Sequence, residues 1–424
     1  MKKVLVISFN CFDSSSSNGR ALGSLLALCD ELRIAQIYIK NGTPNFIDGD
    51  YCFIDEQSLL KHFFNAKKCT RFFTYRKNDN DKSLECSNFE EKKNDSIMSQ
   101  KTPFKMFGRN IMWKLALASL KNVFRWALDF NPEYVLIQAG DLPFLLDLGF
   151  KIAKICKSKL VFYTSENYPF KKLNYTNLKK KSYIYPFLRN ELFKSTKRVV
   201  ENAFSLIFLT DSLKKEFNEN YNINGKAYVI YPCSEMKELP PINRKEQYVF
   251  SYCGNLELGR DKTLIDIAKI LKKKYYNCKL IVCGHASTEV IAKLENEDNI
   301  EYIGIIPYRD VIRIYEKSDF LLHFESFDRL IALDSTHAFS GKIADCISSG
   351  RPFIFVGPEN MYEYQFLKKT GGALTFNSIE LFRKEIFLGV LDTHYFDPNN
   401  QMLIKNNYFS WQKTRNVIEE IFDL

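Results

Sequence analysis

The chain has 424 residues, 46% hydrophobic and 26% charged, with 60 Lys+Arg against 50 Asp+Glu. That apolar fraction excludes a disordered chain, and the length predicts two or three domains, each with a core of its own. A net charge of +10 calls for an anionic partner, whether phosphate, nucleic acid or an anionic membrane face.

No apolar run reaches the roughly 18–20 residues a spanning helix needs. The opening MKKVLVISFN has a short apolar stretch at 4–9 and no small-residue cleavage site, so it reads as a first buried strand rather than a signal peptide. The 11 cysteines include no C-x-x-C, and the five histidines show no metal-ligand spacing. Both patterns predict reduced thiols used as small hydrophobes and no metal site.

In chain order, strand 4–9 is followed by a polar loop, an amphipathic segment 21–32 and a second strand 35–39. Apolar residues at helical spacing predict one helix over 112–129, then strand 134–138, helix 145–156 and strands 160–164 and 205–209. Helix 212–221 and strand 227–230 complete the series. The stretch 76–103, with RKNDNDK and EEKKND, has almost no apolar periodicity and reads as a mobile polar insertion. The sequence KELPPINRKE then breaks the pattern, which places a boundary between domains 1–237 and 238–424.

A second alternation follows, with strands at 248–252, 279–283, 300–303, 320–324, 353–356 and 373–376. Helices separate them, and the terminal helix 411–422 is assigned to this domain. Short apolar strands between helices are what parallel sheets covered on both faces require. The fold expected is α/β, two Rossmann-like doubly wound domains facing across a cleft, with ligands at the carboxyl ends of the strands.

Two loops carry the chemistry. Tyr252-Cys-Gly-Asn-Leu-Glu-Leu-Gly-Arg-Asp-Lys262 joins a strand to a helix. Its glycines permit close backbone approach, and the helix N-terminus with Arg260 and Lys262 suits a diphosphate. In Phe339-Ser-Gly-Lys-Ile-Ala-Asp-Cys-Ile-Ser-Ser-Gly-Arg-Pro-Phe353, Ser340 is an expected N-cap and Gly350 a helix terminator. Asp345 lies on the polar side of that helix, where a carboxylate could accept bonds from ribose hydroxyls.

Together the two loops resemble the nucleotide-binding half of GT-B glycosyltransferases, in particular the large retaining group called family 4. With them go LIVCG at 280–284 and YIGIIPYRDVIRIYEKSDFLL at 302–322. The resemblance is strong in the C-terminal half and looser in the N-terminal half. Strings such as SNGRALGSL and FSGKIADC look like bacterial enzymes that build cell-surface polysaccharide.

The resemblance implies a hexosyltransferase-like enzyme, retaining and metal-independent. Its donor would be a nucleotide-diphosphate sugar, with no other cofactor. Gly254 and Asn255 would face the donor diphosphate, Arg260 with Lys262 would neutralise it, and Ser340, Gly341 and Lys342 would lie at the helix end beneath it. Asp345 matches the ribose-holding acid. Asn18 and Gly19 occupy the first-strand loop that approaches the diphosphate and acceptor. Glu166 follows a strand where the family often has a His near the transferred sugar. The family commonly has two glutamates separated by seven residues; here His337 stands in the first place and Asp345 in the second. His337 could meet the sugar, as could Asp334 or Glu325, so the catalytic candidates are Glu166, His337 and Arg260.

Residues 171–198 hold nine Lys/Arg interleaved with Tyr175, Tyr183, Tyr185, Phe187 and Phe193. This composition suits an anionic lipid surface as well as it suits a solvated helix pair. The partners expected are a nucleotide sugar and a glycan or polyprenyl-linked acceptor, with no nucleic acid, since no such binding module is present. The location expected is cytoplasmic, peripheral on the inner face of the cell membrane. Two alternatives share the fold: a non-catalytic glycan- or lipid-binding scaffold and a nucleotide-sugar epimerase.

Overall fold

The structure, a computed structural model, describes residues 1–13, 17–61, 66–77, 102–172, 182–241, 247–394 and 396–424. The polar insertion expected at 76–103 lies almost wholly outside them, as does the stretch 173–181 of the basic segment. The chain forms two compact units, one made of Met1–Ile230 with Thr414–Leu424 and the other of Tyr231–Lys413.

Among its described residues the first unit has eight strands: β1 Lys2–Ser8, β2 Leu32–Tyr38, β3 Gly49–Ile54, β4 Thr70–Tyr75, β5 Tyr134–Gln138, β6 Lys159–Thr164, β7 Ser205–Phe208 and β8 Lys226–Val229. Their order is β4-β3-β2-β1-β5-β6-β7-β8, with every pair parallel except β3–β4. Val4, Leu5, Val6 and Ile7 of central β1 are fully buried, so the strand is an unbroken apolar run because helices cover both faces. The apolar stretch 112–129 forms two helices, Pro103–Ser119 and Lys121–Phe130. They part at Leu120, whose ψ of 38° leaves the helix while its side chain is fully buried. Core burial of one leucine, with no proline or glycine, turns the chain there.

The second unit has, among its described residues, six strands: β9 Val249–Cys253, β10 Lys279–Cys283, β11 Ile300–Gly304, β12 Phe320–Phe324, β13 Phe353–Val356 and β14 Leu374–Phe376. All pair in parallel in the order β11-β10-β9-β12-β13-β14. This is the doubly wound dinucleotide-fold order, reversing direction between β9 and β12.

The division differs from the boundary placed at 237/238. Residues from Tyr231 onward already pack on the second unit: Ser234 donates to Asp345 at 2.6 Å and Leu239 N–H donates to the Ser349 carbonyl at 2.9 Å. The helix Trp411–Phe422 leaves it again, burying Ile418, Ile421 and Phe422 in the core that also holds Val4 and Leu136. The assignment of that helix to the C-terminal domain is therefore corrected: its apolar stripe belongs to the first unit. The Phe422 ring meets Tyr134 edge-on at 5.1 Å. Phe422→Ala should lower the stability of the first unit by about 3–5 kcal/mol, read as a shifted midpoint in urea unfolding.

Candidate functional site

At the switch between β9 and β12 the connections leave in opposite directions and open a crevice at the carboxyl ends of the strands. The chain leaves β9 through 254–259 into the helix Arg260–Lys274. Local bonds fix this loop: Gly254 N–H donates to the Cys283 carbonyl at 2.7 Å, and the Tyr252 hydroxyl donates to the Asn255 carbonyl at 2.9 Å. Asn255 Oδ1 accepts the Glu257 N–H at 2.8 Å. Leu258 and Gly259 both take positive φ, 60° and 76°, a costly conformation for leucine that the surrounding bonds must sustain. Gly284, at φ +132°, lies so close that a Cβ there would stand 1.9 Å from the Gly254 carbonyl oxygen.

Arg260 opens the helix and reaches the end of β12, where its guanidinium donates to both oxygens of Glu325 at 2.9 and 2.8 Å. Burial would lower the Arg260 pKa, but the Glu325 charge and bonds outweigh it and hold the guanidinium firmly charged. Burial would likewise raise the Glu325 carboxyl; the Arg260 guanidinium, bonded to both of its oxygens, helps keep it below the usual range. His323 Nε2 stands 3.6 Å from Glu325 Oε1, an electrostatic contact longer than a hydrogen bond. Burial lowers the His323 pKa, so the ring is neutral.

Ser340 caps the helix Gly341–Ser348, its Oγ accepting the Lys342 N–H at 3.4 Å, while its own N–H donates to Glu363 Oε1 at 2.7 Å. Lys342 points back at the first loop: a Cβ on Gly254 would stand 2.9 Å from its Cε. Burial and the Arg260 charge lower the Lys342 pKa. Lys342 thus lies against Gly254, while Arg260 on Glu325, the Ser340 N–H on Glu363 and the Lys342 charge meet around one buried pair of acids, a set of groups suited to a phosphate or diphosphate.

The other expected residues are distributed as follows. Lys262 is exposed on its helix, roughly 200° around from Arg260; Lys342 takes the place of second cation at this loop. Asn255 spends its side chain on the loop's own turn. Gly341 is exposed, and a Cβ there would meet only Pro232, at 3.7 Å. Asp345 Oδ1 accepts from both Ser234 Oγ at 2.6 Å and the Tyr308 hydroxyl at 2.9 Å. His337 lies half-buried between the helix Arg329–Asp334 and Ser340.

In the first unit, Glu166 follows β6 and forms an ion pair with Lys171. Gly19 is buried at the start of the helix Ser17–Leu26; the Asn18 side chain lies outside the described set. The basic segment 171–198 is less open than its composition suggests. Arg189 is buried, donating to Asp141 at 2.7 Å and the Tyr168 carbonyl at 2.8 Å. Arg198 pairs with Asp147 at 2.8 Å and Lys197 with Glu201 at 3.8 Å, while Tyr185 is buried and Phe193 packs on the core.

Sequence reasoning missed Glu363 and His323. Glu363 sits in MYEYQF, where an acid in a first helical turn reads as a surface residue, and His323 reads as part of an apolar strand. His323, Glu325 and Glu363 bring metal-ligand atoms within 4.8 Å of one another. Arg260 occupies both Glu325 oxygens and Lys342 faces the same space, so the positive charge there is already supplied and a cation would have to displace a guanidinium.

No protein-family model matches the sequence, and no curated protein matches it. Solved structures do match, and over the whole chain: the fold is GT-B, that of a large class of glycosyltransferases. Sucrose-phosphate synthase from Thermosynechococcus elongatus aligns at TM-score 0.63 and 11% identity, covering 100% of this chain and 98% of that one. HepE from Anabaena, solved in complex with UDP, aligns at 0.61 and 12% identity, with 100% of both chains covered. WaaG, a glycosyltransferase involved in lipopolysaccharide biosynthesis, aligns at 0.57 and 12% identity, with 99% of both chains covered.

The contact between Gly254 and Gly284 gives the test of this loop. Gly284→Ala should destabilise the second unit by about 2–5 kcal/mol through strain and overpacking, seen in urea unfolding, whereas Gly341→Ala should leave the midpoint unchanged.

Proposed function

We propose that this chain is a glycosyltransferase that moves a sugar from a nucleotide-diphosphate sugar to a glycan or lipid-linked acceptor in bacterial surface-polysaccharide synthesis, with retention of configuration. The observation that carries the reading is the gathering of Arg260, Lys342 and the Ser340-capped helix end around the buried Glu325 and Glu363, with Lys342 against Gly254, at the topological switch point. Breaking the bond between a sugar and a diphosphate requires stabilising the charge that develops on the departing phosphate. Preorganised cations and helix N–H groups do this without reorganising at the moment of reaction. The sugar passes through an oxocarbenium-like state. Asp345, with the hydroxyls of Ser234 and Tyr308 bound to it, is the candidate for the ribose end of the donor. Glu166 and His337 remain candidates for contacts near the transferred sugar. The two fixed cations support a mechanism that needs no metal.

The reading extends to an anionic membrane face, where a lipid-linked acceptor would lie. Its support is an exposed apolar stripe of Phe104, Ile111 and Leu115 on the helix Pro103–Ser119, continued by Tyr183 and Phe187. Phe107 and Phe187 meet edge-on at 5.9 Å and join the two helices. Lys194 is exposed on the second of them. Among the described residues no helix is long and apolar enough to cross a membrane.

A panel of UDP-, GDP- and ADP-sugars tests the enzyme reading. At least one should raise the unfolding temperature at millimolar concentration and yield transferred product by mass spectrometry with a lipid-linked acceptor. Lys342→Met should weaken that donor at least about tenfold by calorimetry. Failure of every donor to stabilise the protein would favour the scaffold reading. On vesicles containing anionic lipid, the triple change of Phe104, Ile111 and Leu115 to Ser should abolish co-sedimentation that the natural sequence shows.

A further inference from the structure

Glu363 is buried at the first turn of the helix Tyr362–Thr370. One oxygen accepts the Ser340 N–H at 2.7 Å; the other has no hydrogen-bond partner and stands 3.9 Å from His323 Nε2. The groups facing it are His323 from β12 and Glu325 just beyond it, Arg260 and Lys342 from their two helix ends, and Tyr252 from β9. Arg260 gives both of its bonds in this cluster to Glu325. Of the two buried carboxyl groups only Glu325 therefore has a cation of its own, and two such groups in one dry space do not both ionise readily.

We propose that Glu363 is a positioning residue of the donor site that works as a neutral carboxylic acid, holding the Ser340 end of its helix while leaving the charges of Arg260 and Lys342 uncancelled for a diphosphate. The proposal rests on the donor reading above and deepens it. With Glu363 neutral, the cations of Arg260 and Lys342 less the anion of Glu325 leave one positive charge; with Glu363 ionised the cluster has none.

Burial, then the Glu325 charge, pushes the Glu363 carboxyl up to about 8. The group is thus protonated below that value and ionises as pH rises through it. Diphosphate affinity is accordingly full in the neutral range and falls above about pH 8, approaching tenfold per pH unit, the limit for one linked proton. Lys342, its pKa lowered by burial and Arg260, loses charge in the same direction. Only replacement of Glu363 separates the two groups.

The experiment has two arms on the full chain. Infrared difference spectra of the natural protein against Glu363→Gln, and against Glu363→Met should the first not fold, should show a protonated-carboxyl band at pH 7 that disappears near pH 9. Calorimetry with UDP, GDP and ADP from pH 6.5 to 9.5 should then show affinity falling at least tenfold above pH 8 in the natural protein. Glu363→Gln should flatten that fall, and Glu363→Asp should restore a pH dependence. Absence of the carboxyl band overturns the proposal whether or not a nucleotide binds. The same holds if the natural protein and Glu363→Gln share one pH profile, an outcome that leaves the donor reading standing. A carboxyl band with no nucleotide bound at any pH overturns the donor reading, and this role of Glu363 with it.

Discussion

The bidentate pair between Arg260 and Glu325 is the contact around which the buried polar cluster of the second unit is arranged. An arginine at the first position of a helix, beside a crevice, has many rotamers open to it, and the diphosphate site proposed above needs one of them held. Glu325 holds it at the cost of burying a carboxylate, an exchange that is close to neutral for stability and gains definition of geometry. Around that pair the remaining groups follow by exclusion. His323 stays neutral because burial disfavours its charge, and Lys342 lies against Gly254 because no Cβ stands in its way. Glu363 is left beside a carboxylate whose cation is already engaged.

The alternation of short apolar strands with helices made the α/β class legible, because a parallel sheet covered on both faces has to be written that way. The switch-point loop was legible for a similar reason: glycines before a helix beginning Arg260 have few other uses. Strands β3 and β4 were not read; β4, at the edge of the sheet, alternates exposed and half-buried positions and lacks the unbroken apolar run of a central strand. The partnerships of charged residues were not read either. Sequence spacing places Arg260 and Lys262 side by side, but helix geometry turns Lys262 outward, and the second cation comes from Lys342, eighty residues downstream. Glu363 gave no signal at all, because burial of one acid in an otherwise ordinary first turn is set by tertiary packing.

The basic segment shows the same limit from the other side. Its composition announces a charged surface, yet Arg189, Lys197 and Arg198 turn back on acids of their own unit. Exposed apolar side chains of the helix Pro103–Ser119, among them Phe104, Ile111 and Leu115, form the more prominent surface feature. Composition measures how much charge is present; only the fold determines how much of it faces outward.

The return of the last eleven residues to the first unit makes the second unit, in topological terms, an insertion within the first. Tyr134 donates to Asp423 at 2.6 Å across 289 residues of sequence, and Lys159 is paired with the same carboxylate. A chain emerging from the ribosome can complete Tyr231–Lys413 as soon as that stretch is out. The first unit, though begun earlier, must wait with Val4, Leu136 and their neighbours incompletely covered until Ile418, Ile421 and Phe422 arrive. Synthesis order and completion order are therefore reversed, and the second unit is the part of the molecule that can be separated as a contiguous fragment.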